Sequence, residues 1–416
     1  MLPAGFKDQL PSMAAHEAFI VQAIIEQCEA YGYERIKPPL IEFEDSLFNG
    51  AGVSMTENSF RFMDPVSGKM MGIRADMTVQ VARIATTRLA HLERPLRLCY
   101  SGEVLRVNPD NLNPDRELVQ VGAELIGPNT VTADLEVIQI ALDALKRLGT
   151  RNISIDITAP ALIPFVLKSV GLDPSSSQEL RGALDRKDIK AVESLAGGNA
   201  LLLGNIMTTA GAWETGIKKL RELTLPIEVE KIIDRLENLA SLISSENDIA
   251  EVTIDPIENR GFEYYNGIGF SFFSRGIRGE LGRGGRYSLE DGSSQSSCGF
   301  SLYIETLLRA LNEPTKKNRL LIKAKLKETF TLKIVGTIKP KENFSLLGMY
   351  ESNGIITTQC EAEGFRRISY HSDRPDILSK YKVRIEANKE DYPVLLSNGN
   401  LVKANDIEHR RHEVIW

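Results

Sequence analysis

Histidine is scarce in this chain, five in 416 residues, and cysteine scarcer still at four. Cys28, Cys99, Cys298 and Cys360 stand far apart with no CxxC or metal-type spacing, which argues against a zinc site or a disulfide framework and fits a reduced, cytoplasmic protein. His409 and His412 both fall near the end of the chain, and no Ser/His/Asp or Cys/His nucleophile set is legible. Long apolar runs are missing too. The opening MLPAGFKDQLPS is polar and punctuated by proline, so neither a signal peptide nor a membrane span is expected. Basic residues do not predominate: 50 Lys and Arg against 56 Asp and Glu leave a net charge of −6, which excludes broad electrostatic binding of nucleic acid but not a local basic patch. What the chain has is bulk. With 42% hydrophobic residues it can bury a sizeable core and fill two or three domains.

The most unusual stretch is Glu258 to Tyr287, ENRGFEYYNGIGFSFFSRGIRGELGRGGRY. Its first half alternates as a strand, with Phe262, Tyr264, Ile268, Phe270 and Phe272 on one side and Glu263, Tyr265 and Ser271 on the other. Arg275, Arg278, Arg283 and Arg286 follow, threaded through glycines. Glycine weakens a strand interior and marks close approach of a backbone or a ligand. Two readings stay open for this stretch: a pocket floor meeting a small zwitterionic or anionic ligand, or a glycine-rich hairpin with a solvated arginine face. It is not a P-loop, because GRGGRY lacks the GK[ST] ending whose lysine reaches phosphates.

Along the rest of the chain, Ile20, Ile24, Cys28 and Tyr31 keep helical spacing and Gly32 follows as a stop. Tyr33 to Glu42 reads as an edge or interface strand broken by Pro38 and Pro39, Phe48 to Phe60 as a loop, and Arg61 to Arg74 as a hairpin around VSG. Asp76 and Thr78 precede a helix, and each has the chemistry of an N-cap as well as of a ligand-binding group. Leu96 to Val107 and Glu117 to Gly127 read as strands. On the second, Val119, Val121, Ala123 and Leu125 share one face; Gln120, Gly122 and Glu124 share the other, which fits either a ligand or solvent. A helix closed by Gly149 and the strand Ile153 to Ile157 come next. From Pro160 to about Ser245 an all-helical insertion is expected, before strand character returns at Val252. Six basic residues and no acidic one lie between Lys316 and Lys327, a solvated linker or a phosphate-contacting strip. Beyond them, strand-like LKIVGTI, a helix around Leu346 to Glu351, IITTQC and PVLLSN predict a small α/β module.

The ordered motifs LPxGFKD, YGYERIKPPLIE, IRADMT, LRVNPD, ELVQVGAELIG, NRGFEYYN and GRGGRY resemble the catalytic core of class II histidyl-tRNA synthetases from about residue 3 to residue 313. The resemblance implies an α+β fold: a class II synthetase-like antiparallel sheet flanked by helices, with core segments 1–159 and 250–315, a helical insertion at 160–249, and a linker and small C-terminal domain at 316–416. It carries the family's histidine-binding groups onto Asp76, Thr78, Arg106, Gln120, Glu124, Arg260, Tyr264 and Tyr265. That set suits the ligand chemically. An ammonium takes Asp76, Gln120 and Glu124; a carboxylate takes Arg260 or Arg106; an imidazole takes aromatic walls and a phenol or carboxylate.

The departures matter as much. The synthetases' second motif supplies Arg-x-Glu, whereas Arg106 is followed by Val107 and Asn108. Their third motif clamps the terminal phosphate of ATP with arginine, and here that position is Thr306. Asp76 stands where they carry glutamate. Adenylyl chemistry depends on fixed positive charge against the triphosphate. The pattern is similar to the paralogous family of ATP phosphoribosyltransferase regulatory subunits. This implies a non-catalytic protein that needs no cofactor or metal, forms a dimer through the synthetase-like core, and partners the short catalytic subunit of the first step of histidine biosynthesis. Free histidine is its candidate ligand, and neither a membrane nor tRNA is expected as a partner. The alternatives are a divergent histidyl-tRNA synthetase and a free-standing histidine-sensing protein.

Overall fold

The structure is a computed structural model that describes residues 2–48, 55–109, 114–172, 174–246, 251–258, 265–289, 295–311, 333, 335–345, 347–361, 364–369, 376 and 378–416. The chain divides into two compact units, Met1–Lys317 and Asn318–Trp416. None of the described helices is long and apolar enough to cross a membrane.

The first unit opens with α1 (Pro11–Ala30) and β1 (Glu34–Arg35). A small sheet follows from β2 (Ile41–Phe43), with α2 (Glu44–Leu47), β3 (Arg61–Met63) and β4 (Met70–Ile73). Then come α3 (Thr78–Thr87), β5 (Leu96–Leu105), β6 (Glu117–Gly127), α4 (Val131–Arg147) and β7 (Ile153–Thr158). The segment after Pro160 folds into α5 (Leu162–Ser169), α6 (Pro174–Asp185), α7 (Ile189–Ala196), α8 (Ala200–Met207), α9 (Trp213–Arg221) and α10 (Ile227–Glu246). It is not purely helical, because the short β8 (Gly211–Ala212) pairs with β9 (Glu251–Asp255). The unit ends with β10 (Tyr265–Ser274), β11 (Gly282–Ser288), β12 (Ser296–Tyr303) and α11 (Ile304–Ala310).

Nine strands form one sheet in the order β1-β5-β6-β12-β11-β10-β7-β9-β8. It is antiparallel except at β1–β5 and β7–β9. Helices cover one face because their apolar stripes match the odd-numbered side of β6: Ile20, Ile24 and Cys28 of α1 and Val137, Ile138 and Ala141 of α4 join Val121, Ala123 and Leu125 in the main core. The expected stops are present: Gly32 and Gly149 take φ of +80° and +86°, where a side chain would be strained. The opposite face is closed by a second apolar cluster of Met77, just before α3, and Val81 and Ala85 of α3 against Leu98, Tyr100 and Tyr287. Both faces of β6 are therefore buried, and the solvent reading of Gln120, Gly122 and Glu124 falls away.

The arginine face expected after β10 splits. Arg275 and Arg278 are exposed, whereas Arg286 is buried and donates through Nε (2.8 Å) and Nη2 (2.6 Å) to Oδ1 of Asp134. Asp134 also receives Nε (2.8 Å) and Nη2 (2.5 Å) of Arg235 from α10, so one buried carboxylate ties the sheet to two helices.

The second unit corrects the expected α/β module. Its described residues form the hairpin β13 (Gly348–Ser352)–β14 (Ile355–Gln359) and a sheet of β15 (Arg384–Asn388), β17 (Arg411–Ile415) and β16 (Lys403–Ile407), without an α-helix. The helix expected around Leu346 to Glu351 is a strand where it is described: Met349 to Glu351 pair with Ile356 to Thr358 across a turn where Asn353 and Gly354 take positive φ. The described part of LKIVGTI and the PVLLSN run form no strand. The basic run 316–327 lies outside the described residues.

Candidate ligand pocket

The candidate site is built on the even-numbered side of β6. Gly122 faces Tyr100 of β5 on one side and Ser301 of β12 on the other. Glu124 faces Gly299, which faces Gly285, which faces Gly269, which faces Thr158. Three adjacent strands thus carry glycine in one row, a floor spanning four inter-strand steps of about 4.8 Å, roughly 19 Å. The floor must be bare: a Cβ on Gly299 would run into the Glu124 carboxylate, and one on Gly269 would come 2.5 Å from Thr158 Oγ1.

Asp76 and Gln120 meet at one end. Asp76 Oδ1 accepts from the Thr78 amide (2.7 Å), and Oδ2 accepts from Gln120 Nε2 (3.0 Å). Gln120 Nε2 also donates to Ser301 Oγ (2.6 Å), while its Oε1 accepts from the Met77 amide (3.0 Å). Asp76 therefore does help start α3, but Thr78 is not its cap: Thr78 is the first helical residue, and its hydroxyl turns to Tyr100 OH at 3.2 Å. Glu124 holds the other end, where Tyr100 donates to Oε1 (3.2 Å) and Tyr287 to Oε2 (3.0 Å). With Tyr100 donating to Glu124, Thr78 and Ser301 (3.1 Å) donate to its phenol oxygen, and every donor chain ends on a carboxylate.

Burial sets the electrostatics. Asp76 and Glu124 are each 1% exposed and Gln120 0%. Loss of water raises the Asp76 carboxyl above its ordinary value, opposed by the Thr78 amide and the charge of Arg106. The same burial pushes Glu124 up to about 8, opposed by its hydroxyl donors, and raises the Tyr100 and Tyr287 phenols well above the usual range.

Of the eight residues read from sequence, Asp76, Thr78, Gln120 and Glu124 come together in one network. Arg106 is adjacent, half-buried, with its guanidinium 5.7 Å over the Tyr303 ring. Arg260 and Tyr264 lie outside the described residues; Tyr265 is placed by its backbone, opposite Tyr287. Tyr100, Tyr287 and Ser301 were missed. Tyr287 is the last letter of GRGGRY and Ser301 sits in CGFS, so both lay inside noticed motifs; what was lacking was the register that aims them at Glu124 and Gln120.

These sites carry the motifs of a known family, and the comparisons agree. A family profile described as histidyl-tRNA synthetase matches residues 5–307. A relative from Rhodospirillum centenum, described as ATP phosphoribosyltransferase regulatory subunit, is 44% identical over 322 residues, covering 77% of this chain and 83% of that protein. The chain belongs to the ATP phosphoribosyltransferase regulatory subunit family. A crystal structure titled as an ATP phosphoribosyltransferase regulatory subunit/histidyl-tRNA synthetase from Bacillus halodurans superposes on this regulatory subunit with TM-score 0.68 at 27% identity, covering 75% of this chain and 83% of that one. A chain of the ATP phosphoribosyl transferase (HisG:HisZ) complex from Thermotoga maritima shares the fold, with TM-score 0.55 at 18% identity over 69% of this chain and 97% of that one. A second profile, described as the Peptidase M1 N-terminal domain, matches residues 305–416.

Thr306, the residue that the resemblance sets at the synthetases' phosphate clamp, is buried and neutral: its Oγ1 accepts from Arg309 Nη2 (3.1 Å) one turn on. Beside it, Glu305 Oε1 accepts from the Val119 amide (2.8 Å), and Oε2 is buried with no hydrogen-bond partner among the described residues. Burial pushes its carboxyl from 4.5 up to about 7, opposed by the Val119 amide and Lys7 and reinforced by Glu17. A carboxyl raised on folding contributes stability that is complete below its unfolded value and is lost as pH climbs through the folded one. Stability to urea is therefore expected to fall between about pH 4.5 and pH 7, and Glu305→Gln to flatten that part of the profile; an unchanged slope would remove Glu305 as its source.

Proposed function

We propose that this chain is a non-catalytic, cytoplasmic regulatory subunit that holds free histidine in the glycine-floored pocket and controls a short-form ATP phosphoribosyltransferase catalytic subunit in the first step of histidine biosynthesis. The observation that carries the reading is the pairing of an intact polar pocket, Asp76, Thr78, Gln120 and Glu124 on one hydrogen-bond network, with Thr306 at the phosphate-clamp position. Asp76 and Gln120 offer an ammonium its acceptors, and Glu124 between two phenols offers an imidazole a carboxylate and aromatic walls. Arg106, Arg260, Tyr264 and Tyr265 complete the proposed set. By linkage, histidine alters the partner only by binding its active and inactive arrangements unequally. The test is capture of the short catalytic subunit on the tagged full chain, with and without histidine, followed by its phosphoribosyl transfer rate. Rescue of that rate supports the reading; histidine-driven exchange of pyrophosphate into ATP by the chain alone would instead support a divergent synthetase, and histidine binding without a partner a free-standing sensor.

For the dimer through the synthetase-like core, we propose the small sheet as the contact face. Phe43 and Phe62 both pair with Met71, and Ile41 with Ile73, so these five share a face, on which Ile41, Phe43 and Phe62 are 37–40% exposed. A contiguous apolar face of this kind marks an interaction site. Phe43→Glu with Phe62→Glu is expected to convert a dimer to a monomer in light scattering with the circular dichroism unchanged; a double variant that stays dimeric would move the interface elsewhere.

A further inference from the structure

Arg106 is the first residue past the end of β5, where Leu105 opposite Glu117 is the last rung of the ladder with β6. The Arg106 guanidinium is nevertheless placed, 5.7 Å over the Tyr303 ring and close enough to Asp76 to favour its ionised form. A long side chain beyond the end of a ladder loses rotamer entropy in holding one position, so the backbone beneath it needs support from outside the sheet. Arg116 supplies it. The two arginines carry the pairing one step further: Arg106 N donates to Arg116 O (2.8 Å), and Arg116 Nε donates back to Arg106 O (3.2 Å).

The Arg116 side chain is itself fixed between two rings from distant parts of the chain. Its guanidinium carbon lies 5.6 Å from the centre of Phe6 and 4.8 Å from that of Phe60, and the two rings are 6.4 Å apart. A planar guanidinium can stack on aromatic faces while its Nε still donates; a lysine ammonium has neither the plane nor that donor. Backbone bonds join the same segments. Arg116 N donates to Gly5 O (2.8 Å), Val107 N to Asn58 O (2.9 Å) and Asn108 N to Asn58 Oδ1 (2.9 Å), and Lys7 pairs with Asp115 (2.6 Å). Gly5 has to be glycine there, because it takes φ of +83° and a Cβ would come 2.6 Å from Arg116 Cγ.

Resting on the reading of the pocket as a histidine receptor that includes Arg106, we propose that Arg116 is a positioning residue: clasped by Phe6 and Phe60, it fixes the segment that carries Arg106 and so presents that guanidinium to the ligand's carboxylate. Arg116 itself does not touch the ligand. The segments around Gly5 to Lys7 and Asn58 to Phe60 thereby belong to the receptor, although neither contains a residue of the pocket. Ordering one cation before the ligand arrives removes an entropic cost from binding.

Titration calorimetry of histidine on the full chain supplies the test. Arg116→Ala is expected to weaken binding roughly 10-fold, the combined effect of the hydrogen bond and the two ring contacts that hold the arginine, and Arg116→Lys to recover little of it. Because the effect runs through Arg106, the single variant Arg106→Ala and its combination with Arg116→Ala are expected to bind histidine equally weakly. Histidinol, which lacks the carboxylate, is expected to bind wild type and Arg116→Ala alike. Full recovery with lysine would make the role one of charge alone, and losses that multiply in the double variant, or that are as large for histidinol, would make it a general loosening; each overturns the proposal. Hydrogen exchange reads the same role without ligand: the amides of Arg106 to Asn108 are expected to exchange faster in Arg116→Ala and in Phe60→Leu. If wild type gives no histidine heat, the receptor reading fails. Exchange then decides alone, faster amides upholding the positioning of Arg106 by Arg116 and unchanged amides overturning it.

Discussion

Asp134→Ala is expected to destabilise the first unit by about 3–5 kcal/mol, the loss that follows when one partner of a buried ion pair is removed. The side chains of Asp134 and Arg286 are 1% and 4% exposed. With the carboxylate gone, the guanidinium keeps, among the described residues, only Pro128 O (2.8 Å) and Ser296 Oγ (2.7 Å), both neutral, for a buried charge. Arg235, 22% exposed, loses the same partner but can turn to solvent, so most of the penalty lies with Arg286. Urea unfolding of the full chain, followed through the transition of this unit, measures the effect. Asp134→Leu combined with Arg286→Met is expected to recover much of the loss, because replacing both charges removes the orphan. If the single alanine variant unfolded at nearly the wild-type midpoint, the charge of Arg286 would have to be met by some other group.

Glu124→Ala is expected to weaken histidine binding by roughly 10- to 100-fold, the value of a hydrogen bond to a charged group, about 1.5–3 kcal/mol. Truncation also strips Tyr100 and Tyr287 of their acceptor, so part of the loss reflects two phenols that no longer hold one position. Tyr287→Phe separates these contributions: it leaves the carboxylate and removes one donor, and a smaller loss is expected. Titration calorimetry of both variants, with light scattering to show that the oligomer is unchanged, checks the order. Equal affinities in wild type and Glu124→Ala would take Glu124 out of the site.

The pocket lay half open to sequence reading. The alternation of Gln120, Gly122 and Glu124 is local, set by the period of two along a strand, and the motifs flanking it were long and ordered enough to name a family. Burial of that face was not legible, because it depends on α3 and Tyr287 closing over it. Ser301 pairs with β6 across 179 residues, from 122 to 301, and Tyr287 reaches Glu124 through β12 across 163, while Tyr100 lies on the neighbouring β5, whose register with β6 was not legible either. The arginines after β10 looked equivalent as a string. Only the pleat separates Arg286, aimed at the helices and Asp134, from Tyr287, aimed at Glu124. In the second unit the helix expected near Leu346 yields to a hairpin, since six residues are too few to establish a helical period against a turn that their neighbours Asn353 and Gly354 adopt readily.

The sequence by itself determined the family, most of the elements of the first unit and four members of the hydrogen-bond network, because these follow from short-range periodicity and from motifs whose residues are neighbours in the chain. The tertiary structure alone decided which side of β6 is dry, which phenols grip Glu124, which arginine meets Asp134 and that three glycines line up into a floor. Those facts depend on strand register and on exclusion of water, and both arise only when distant segments pack.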